Sequence, residues 1–279
     1  MTNEESPLKK YRRQPKLFIN LPSNGKWYNE SIVSNGVVSD LAVYSMTASD
    51  EILFKTPDAL VNGEATASNI RSCVPSILNP MKLRVLDIDT LLLGIRMATY
   101  GETMTVHKNC IRCGEDNAYE INLRNYLDFF HTLEYKDRVQ IDDFIFNLRP
   151  LTYEEWTDIQ KTSVAYQRAV SQESANIKDE TEKEKFVQSI VQKINELTVM
   201  TLFRQIESVE VDGQKESNTN EIIEFMNEND VKYFTKIKEV IEHNTTVWQV
   251  PTEDVTCEKC KHESKLKVSL DASDFFATG

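Results

Sequence analysis

The feature that most constrains this chain is a pair of matched cysteine doublets, CIRC at 110–113 and CEKC at 257–260, with 144 positions from Cys113 to Cys257. Alternating segments flank each doublet: ETMTVHKN and NAYEINL around the first, VPTEDVT and ESKLKVSL around the second. Alternation of that period marks strands, so each doublet is expected at the tip of a β-hairpin. A C-x-x-C turn presents two thiolates from one loop, half of a tetrahedral metal shell. Two tips facing each other complete it. Cys110, Cys113, Cys257 and Cys260 are therefore the expected ligands of one structural Zn2+ per chain, held in a split zinc ribbon. Single-module ribbons place roughly 15–20 residues between their pairs. The longer interval here has the metal tie together two distant parts of the chain.

Other uses of these residues fit less well. A thioredoxin-like redox pair needs a strand-to-helix setting, and both doublets sit between strands. His107 and His262 lie close enough to replace a cysteine or to act behind one, although four cysteines already fill the shell. A closed four-thiolate shell has no open position, which argues against metal catalysis. The fifth cysteine, Cys73 in IRSCVPSI, reads as a small buried apolar residue.

Hydrophobic residues at 40% and charged residues at 27% give an ordinary globular balance, so a packed core is expected rather than disorder. No apolar run approaches bilayer-spanning length, which argues against a membrane. The start, MTNEESPLKKYRRQPK, lacks the apolar stretch of a secretory signal, so folding in a cytoplasm is expected. The net charge of −12 argues against nucleic acid as a partner. The basic cluster Lys9, Lys10, Arg12, Arg13 and Lys16 reads as a solubilising flexible arm over residues 1–14, with docking to an acidic partner as the alternative.

The rest of the pattern predicts an α+β fold. Residues 15–20 and 40–46 alternate as strands. Thr47 and Asp50 begin a helix in a near capping box. PDALVNG adds a helical turn stopped at Asn62-Gly63, and EATASNIRSCV a short helix. DIDTLLLGIRMATYG is a helix capped by Asp87 or Asp89 and closed by Gly101. RNYLDFFHTL is amphipathic, VQIDDFIFNL reads as one alternating strand, and Thr152 starts a long helix with Trp156, Ile159, Tyr166 and Val170 on one face. A second long helix carries Val187, Ile190, Val191, Ile194, Leu197, Val199 and Leu202, a stripe wide enough to require good cover. SVEVDGQ is a strand ending in an Asp-Gly turn, and two further helices precede the second cysteine hairpin.

The two hairpins echo each other beyond the cysteines. Cys110 to Asp128 is 18 positions and Cys257 to Asp274 is 17, and both runs end in Asp-Phe-Phe. SMTASDEI and PLTYEEWT are a fainter upstream pair. The pattern suggests an internal duplication: an N-terminal half at 15–135 and a C-terminal half at 136–279, the latter with a helical insertion at about 158–230.

No catalytic constellation emerges. Nucleotide-binding glycine loops, G-x-S-x-G and H-E-x-x-H are all absent. Asp142-Asp143 and Glu154-Glu155 have no partner His or Lys in a recognisable pattern and read as solvated strand and helix-start positions. The residues point to a non-enzymatic protein.

The stretch 44–123 resembles a known family. YSMTASDEILFKTPDALVNGEATASNIRSCVPSILNP, DIDTLLLGIRMATYGETMTV and CIRCGEDNAYEINL are similar to baseplate proteins of T-even-like contractile-tailed bacteriophages, more narrowly to baseplate hub subunits or hub assembly proteins. RRQPKLFINLPSNGKWY fits the family's usual start. The likeness is strong over about the first 130 residues, looser through the insertion, and returns at the second hairpin. It implies a scaffold or chaperone acting in the host cytoplasm during assembly, with other baseplate or hub proteins as partners. A permanent structural subunit of the virion baseplate is the alternative, a homo-oligomer is left open, and a zinc-ribbon nucleic-acid-binding regulator is a more distant reading. The resemblance supplies no catalytic residues, and the four cysteines carry over only as zinc ligands.

Overall fold

The computed structural model describes residues 8, 11–54, 63–270, 275 and 276. The PDALV turn, Lys9 and Lys10 of the basic cluster, and most of DASDFFATG fall outside the described residues. The chain divides into two compact units: Met1–Thr132 with Val250–Gly279, and Leu133–Gln249. The second cysteine hairpin thus groups with the first, not with the helices that precede it in sequence.

In the first unit, β1 (Leu17–Ile19) pairs antiparallel with β2 (Leu41–Val43). Three helices follow: α1 (Ala48–Phe54), α2 (Glu64–Cys73) and α3 (Val85–Tyr100). Leu91, Leu93 and Ile95 of α3 are fully buried, as is Cys73 on α2. Gly94 lets α3 approach β1, because a Cβ there would lie 3.0 Å from Ile19 Cδ1. Then come β3 (Thr103–Asn109) and β4 (Asp116–Asn122), paired in one antiparallel hairpin, and α4 (Leu123–His131). Leu123, Tyr126, Leu127 and Phe130 of α4 are buried at helical spacing.

Two expectations for this unit are revised. Asp87 and Asp89 do not cap α3, which begins at Val85 after Arg84. Asp87 is buried instead, accepting the Ser23 N–H at 3.0 Å and the Tyr28 hydroxyl. It therefore fastens the 23–28 loop, whose donors suit a buried carboxylate better than a solvated helix end does. Capping at Thr47 is as expected: the Asp50 carboxylate accepts its N–H and hydroxyl, each at 2.8 Å. Arg13 is not a free arm residue. Its guanidinium donates to the carbonyls of Ser45 and Ser72 at 2.6 and 2.8 Å and lies 3.8 Å from Asp50.

The second unit holds β5 (Arg138–Ile141), β6 (Phe144–Leu148), β7 (Ile206–Val211) and β8 (Gln214–Glu216) in one antiparallel sheet, in that order. Its helices are α5 (Tyr153–Arg168), α6 (Glu180–Phe203), α7 (Thr219–Glu228) and α8 (Val231–Val247). The core joins Phe146 and Leu148 of the sheet to Phe203, Ile222, Ile237 and Ile241 of the helices. VQIDDFIFNL is two strands, not one, because Asp142 takes φ +53° and turns the chain. Asp tolerates that left-handed conformation better than most residues. Within the 158–230 segment the expected SVEVDGQ strand is present as β7, which pairs with β6. The α6 stripe is not well covered: Ile190, Leu202 and Phe203 are buried, whereas Val191 is exposed. Asn244, itself buried, accepts the Lys136 N–H at 3.0 Å and donates to the Lys136 carbonyl at 2.9 Å. That double bond of amide to backbone ties the entry of this unit to its exit.

Candidate metal centre

Both cysteine hairpins close with the same six-residue loop. Cys110 N–H donates to the Glu115 carbonyl at 2.8 Å, and Cys257 N–H to the His262 carbonyl at 2.9 Å. Inside each loop the fifth residue donates back to the first: Gly114 to Cys110 at 2.8 Å and Lys261 to Cys257 at 3.0 Å. This tight reversal turns amides toward the first sulfur. Cys110 Sγ accepts from the Cys113 and Arg112 amides, and Cys257 Sγ from the Cys260 and Lys259 amides. Such bonds favour a thiolate over a thiol.

The two loops meet. Cys110 Sγ lies 3.6 Å from Cys260 Sγ, and Cys113 Sγ 3.7 Å from Cys257 Sγ. All four sulfurs fall within 4.8 Å of one another. No pair forms a disulfide. A tetrahedral Zn–S₄ centre with bonds of about 2.3 Å has sulfurs about 3.8 Å apart along each edge. The observed cross-loop spacings match that edge, so the donor set fits a zinc-sized cation.

The acid–base chemistry of the cluster points the same way. Amide bonds from Cys260 and Lys259 outweigh burial and pull the Cys257 thiol down to about 6, and Cys110 is lowered by the amides of Cys113 and Arg112. At Cys113 the Glu115 amide favours ionisation, yet burial and the three neighbouring sulfurs win and push it up to about 12. Four thiolates at such spacing would repel one another, a conflict that a divalent cation bound among them would remove.

Side chains of both hairpins brace the contact. Asn117, buried on β4, accepts the Glu258 N–H at 2.9 Å and donates to the Glu115 carbonyl at 2.9 Å. Lys259 pairs with Glu115 at 2.5 Å, and Lys108 donates to the Lys265 carbonyl at 2.5 Å. The sequence reading missed these residues. A signal for Asn117 was present, since it shares strand parity with Tyr119 and Ile121, and a polar residue on the inward parity needs a partner.

All four sequence-predicted cysteines come together, and neither histidine joins them among the described residues. His107 faces Asp116 at 3.3 Å on the exposed side of the hairpin. The acidic pairs have structural partners. Asp142 meets Lys232 at 2.6 Å, and Glu155 completes a capping box with Thr152 while accepting two bonds from Arg149, each at 2.8 Å. No helix of the described residues is long and apolar enough to cross a membrane.

A family model described as T4 bacteriophage base plate protein matches residues 19–277. No curated protein and no solved structure matches the chain.

Proposed function

Since the chain belongs to the T4 bacteriophage base plate protein family, we propose that it acts without catalysis in the baseplate hub, as a hub protein or hub assembly factor. The family match over residues 19–277 carries this reading. Its partners are other phage baseplate or hub proteins, met in the host cytoplasm during assembly. Mass spectrometry of purified virions against hub precursors tests it. Presence in precursors and absence from virions is the assembly-factor result. Stoichiometric presence in virions makes the chain a permanent subunit, and absence from both refutes a hub role.

In this reading Cys110, Cys113, Cys257 and Cys260 hold one Zn2+ that serves shape alone. The convergence of all four sulfurs within 4.8 Å, with the two cross-loop pairs at tetrahedral-edge spacing, supports it. Metal analysis of protein expressed in a bacterial cytoplasm is expected to give one zinc per chain, and a zinc-free preparation with unchanged folding rules it out.

The duplication belongs to the same proposal. A strand pair, a Thr-capped helix, further helices and a cysteine hairpin recur in order, with Thr47 and Thr152 as the caps. The repeats are 15–135 and 136–279, behind the basic arm. An experimental structure whose two repeats fail to superpose refutes it.

A further inference from the structure

Helices α5, α6 and α8 of the second unit enclose a groove of about 620 Å³. Ile159 comes from α5, Ile194 and Leu197 from α6, and Ile241 from α8. Four threonines share the walls with Gln160, Ser163, Gln205 and Glu242, and the threonine hydroxyls are already satisfied on their own helices. Thr198 donates to the Ile194 carbonyl at 2.9 Å, Thr201 to Leu197 at 2.7 Å, Thr245 to Ile241 at 2.8 Å and Thr246 to Glu242 at 2.8 Å. These hydroxyls ask for no bond from a ligand, so the groove behaves as an apolar surface.

The apolar surface continues beyond the groove. Val191 is 47 % exposed one turn before Ile194, while Trp156 and Val164, 40 % and 38 % exposed, lie four residues on either side of the groove residue Gln160. Among the described residues of this unit, the other exposed large hydrophobic is Val231. Clustering of that kind on one face marks a docking surface rather than random exposure. From Val191 to Leu202 the floor helix rises about 16 Å, three helical turns.

Charge selects the occupant. Residues 133–249 contain 23 Asp and Glu against 14 Lys and Arg. The one charged residue lining the groove is Glu242, loosely paired with Lys238 at 3.7 Å. A second copy of the same unit would set like charge against like. The geometry points to this groove as the seat of an amphipathic helix from a protein partner, with an aliphatic stripe at i, i+3 and i+7 and with Lys or Arg along its flanks.

The inference rests on the reading that the chain works through protein contacts, but it is tested on the purified chain, so its failure is distinct from failure of the virion experiment. The probes are two synthetic helical peptides of about 16 residues sharing one Leu/Ala face, one with Lys flanks and one with Glu flanks. Binding to the full-length, zinc-loaded protein is read by fluorescence anisotropy. The Lys peptide is expected to bind at least roughly tenfold tighter than the Glu peptide. Thr198→Trp fills the groove from an exposed wall position and should weaken the Lys peptide by roughly tenfold or more. Glu242→Lys should narrow the preference, and Val231→Ser should change nothing. Thermal melts of each variant confirm folding. No binding of the Lys peptide, equal binding of both peptides, or indifference to Thr198→Trp overturns the proposal. So does a dimer in sedimentation that Thr198→Trp abolishes, because the occupant would then be a second copy.

Discussion

Gly114 and Lys261 are equivalent residues. Each follows the second cysteine of its loop, each donates its amide to the first cysteine's carbonyl, and each sits in the left-handed region, at φ +71° and +57°. Glycine takes that conformation freely, whereas a residue with a Cβ gives up about 1 kcal/mol. Lys261→Gly is therefore expected to stabilise the folded protein by up to about 1 kcal/mol. Gly114→Ala, with open space for the methyl but the wrong φ, should destabilise it by about 1 kcal/mol. Urea midpoints at constant slope check both, and a loss of stability in Lys261→Gly contradicts the equivalence.

Chelation is expected to act locally and strongly. On the proposed zinc reading, removing the metal leaves four sulfurs close together, and the binding energy of a structural site is on the order of 10 kcal/mol. Stability should fall by several kcal/mol, with amide exchange rising first in 103–122 and 252–267. Cys257→Ala should reproduce the loss without chelator and make added chelator nearly silent. Unchanged exchange in those hairpins would remove the metal from the account.

Two carboxyls of α3, Asp87 buried and Asp89 half-buried, set a pH dependence. Burial pushes Asp87 and Asp89 up to about 6, and for Asp89 it is the sole cause. A carboxyl with a raised folded pKa binds its proton more tightly in the native state than in the unfolded one. Its favourable contribution is complete below the unfolded value near 4 and is lost as pH rises through 6. Asp89→Asn should then stabilise the protein at pH 7.5 by about 1–3 kcal/mol, and the difference from the parent should shrink toward zero near pH 4. Paired urea titrations across that range measure it, and a gap independent of pH would count against a raised pKa at Asp89.

Arg96 is 2 % exposed, yet it is a cation. It donates to the Phe275 carbonyl and lies 5.1 Å from the Phe275 ring and 5.2 Å from the Tyr100 ring. Next to it Phe276 stacks on Phe54 with centroids 4.6 Å apart. Arg96→Ala should cost about 3 kcal/mol, from a cavity, a lost charge-assisted bond and lost ring contacts. Phe275→Ala should cost a similar amount. The two together should cost less than their sum, and full additivity in a double-mutant cycle would show that the contact contributes little.

The clasp was legible because metal chemistry fixes both residue type and spacing. Two C-x-x-C turns inside alternating strands leave few other uses. Local punctuation was legible too: Thr47 and Thr152 cap helices, and Asp212-Gly213 turns a hairpin at φ +50° and +75°. What the sequence hid depends on partners remote along the chain. Asp87 looked like a cap until Ser23 and Tyr28 supplied donors across the fold. Arg96 looked like one polar residue in IRMATYG, and its partner lies 179 positions away. Asp142 broke one expected strand into two through a backbone conformation that alternation does not encode. The α6 stripe was read as a demand for cover, and the described residues leave Val191 exposed.

The paired bonds between Asn244 and Lys136 bear on the order in which a nascent chain can assemble. A ribosome releases Cys110 and Cys113 long before Cys257, and closing a loop of 144 positions is slow and entropically costly. Once residues 133–249 have folded and joined their own ends, the loop still to be closed is roughly a quarter as long, which lowers the cost by on the order of 1 kcal/mol. On the proposed zinc reading, metal capture follows that folding, and a chain that stops before Cys257 never assembles the four sulfurs. Closure of the four-cysteine cluster in this sense reports that residues 133–249 have already been made and folded.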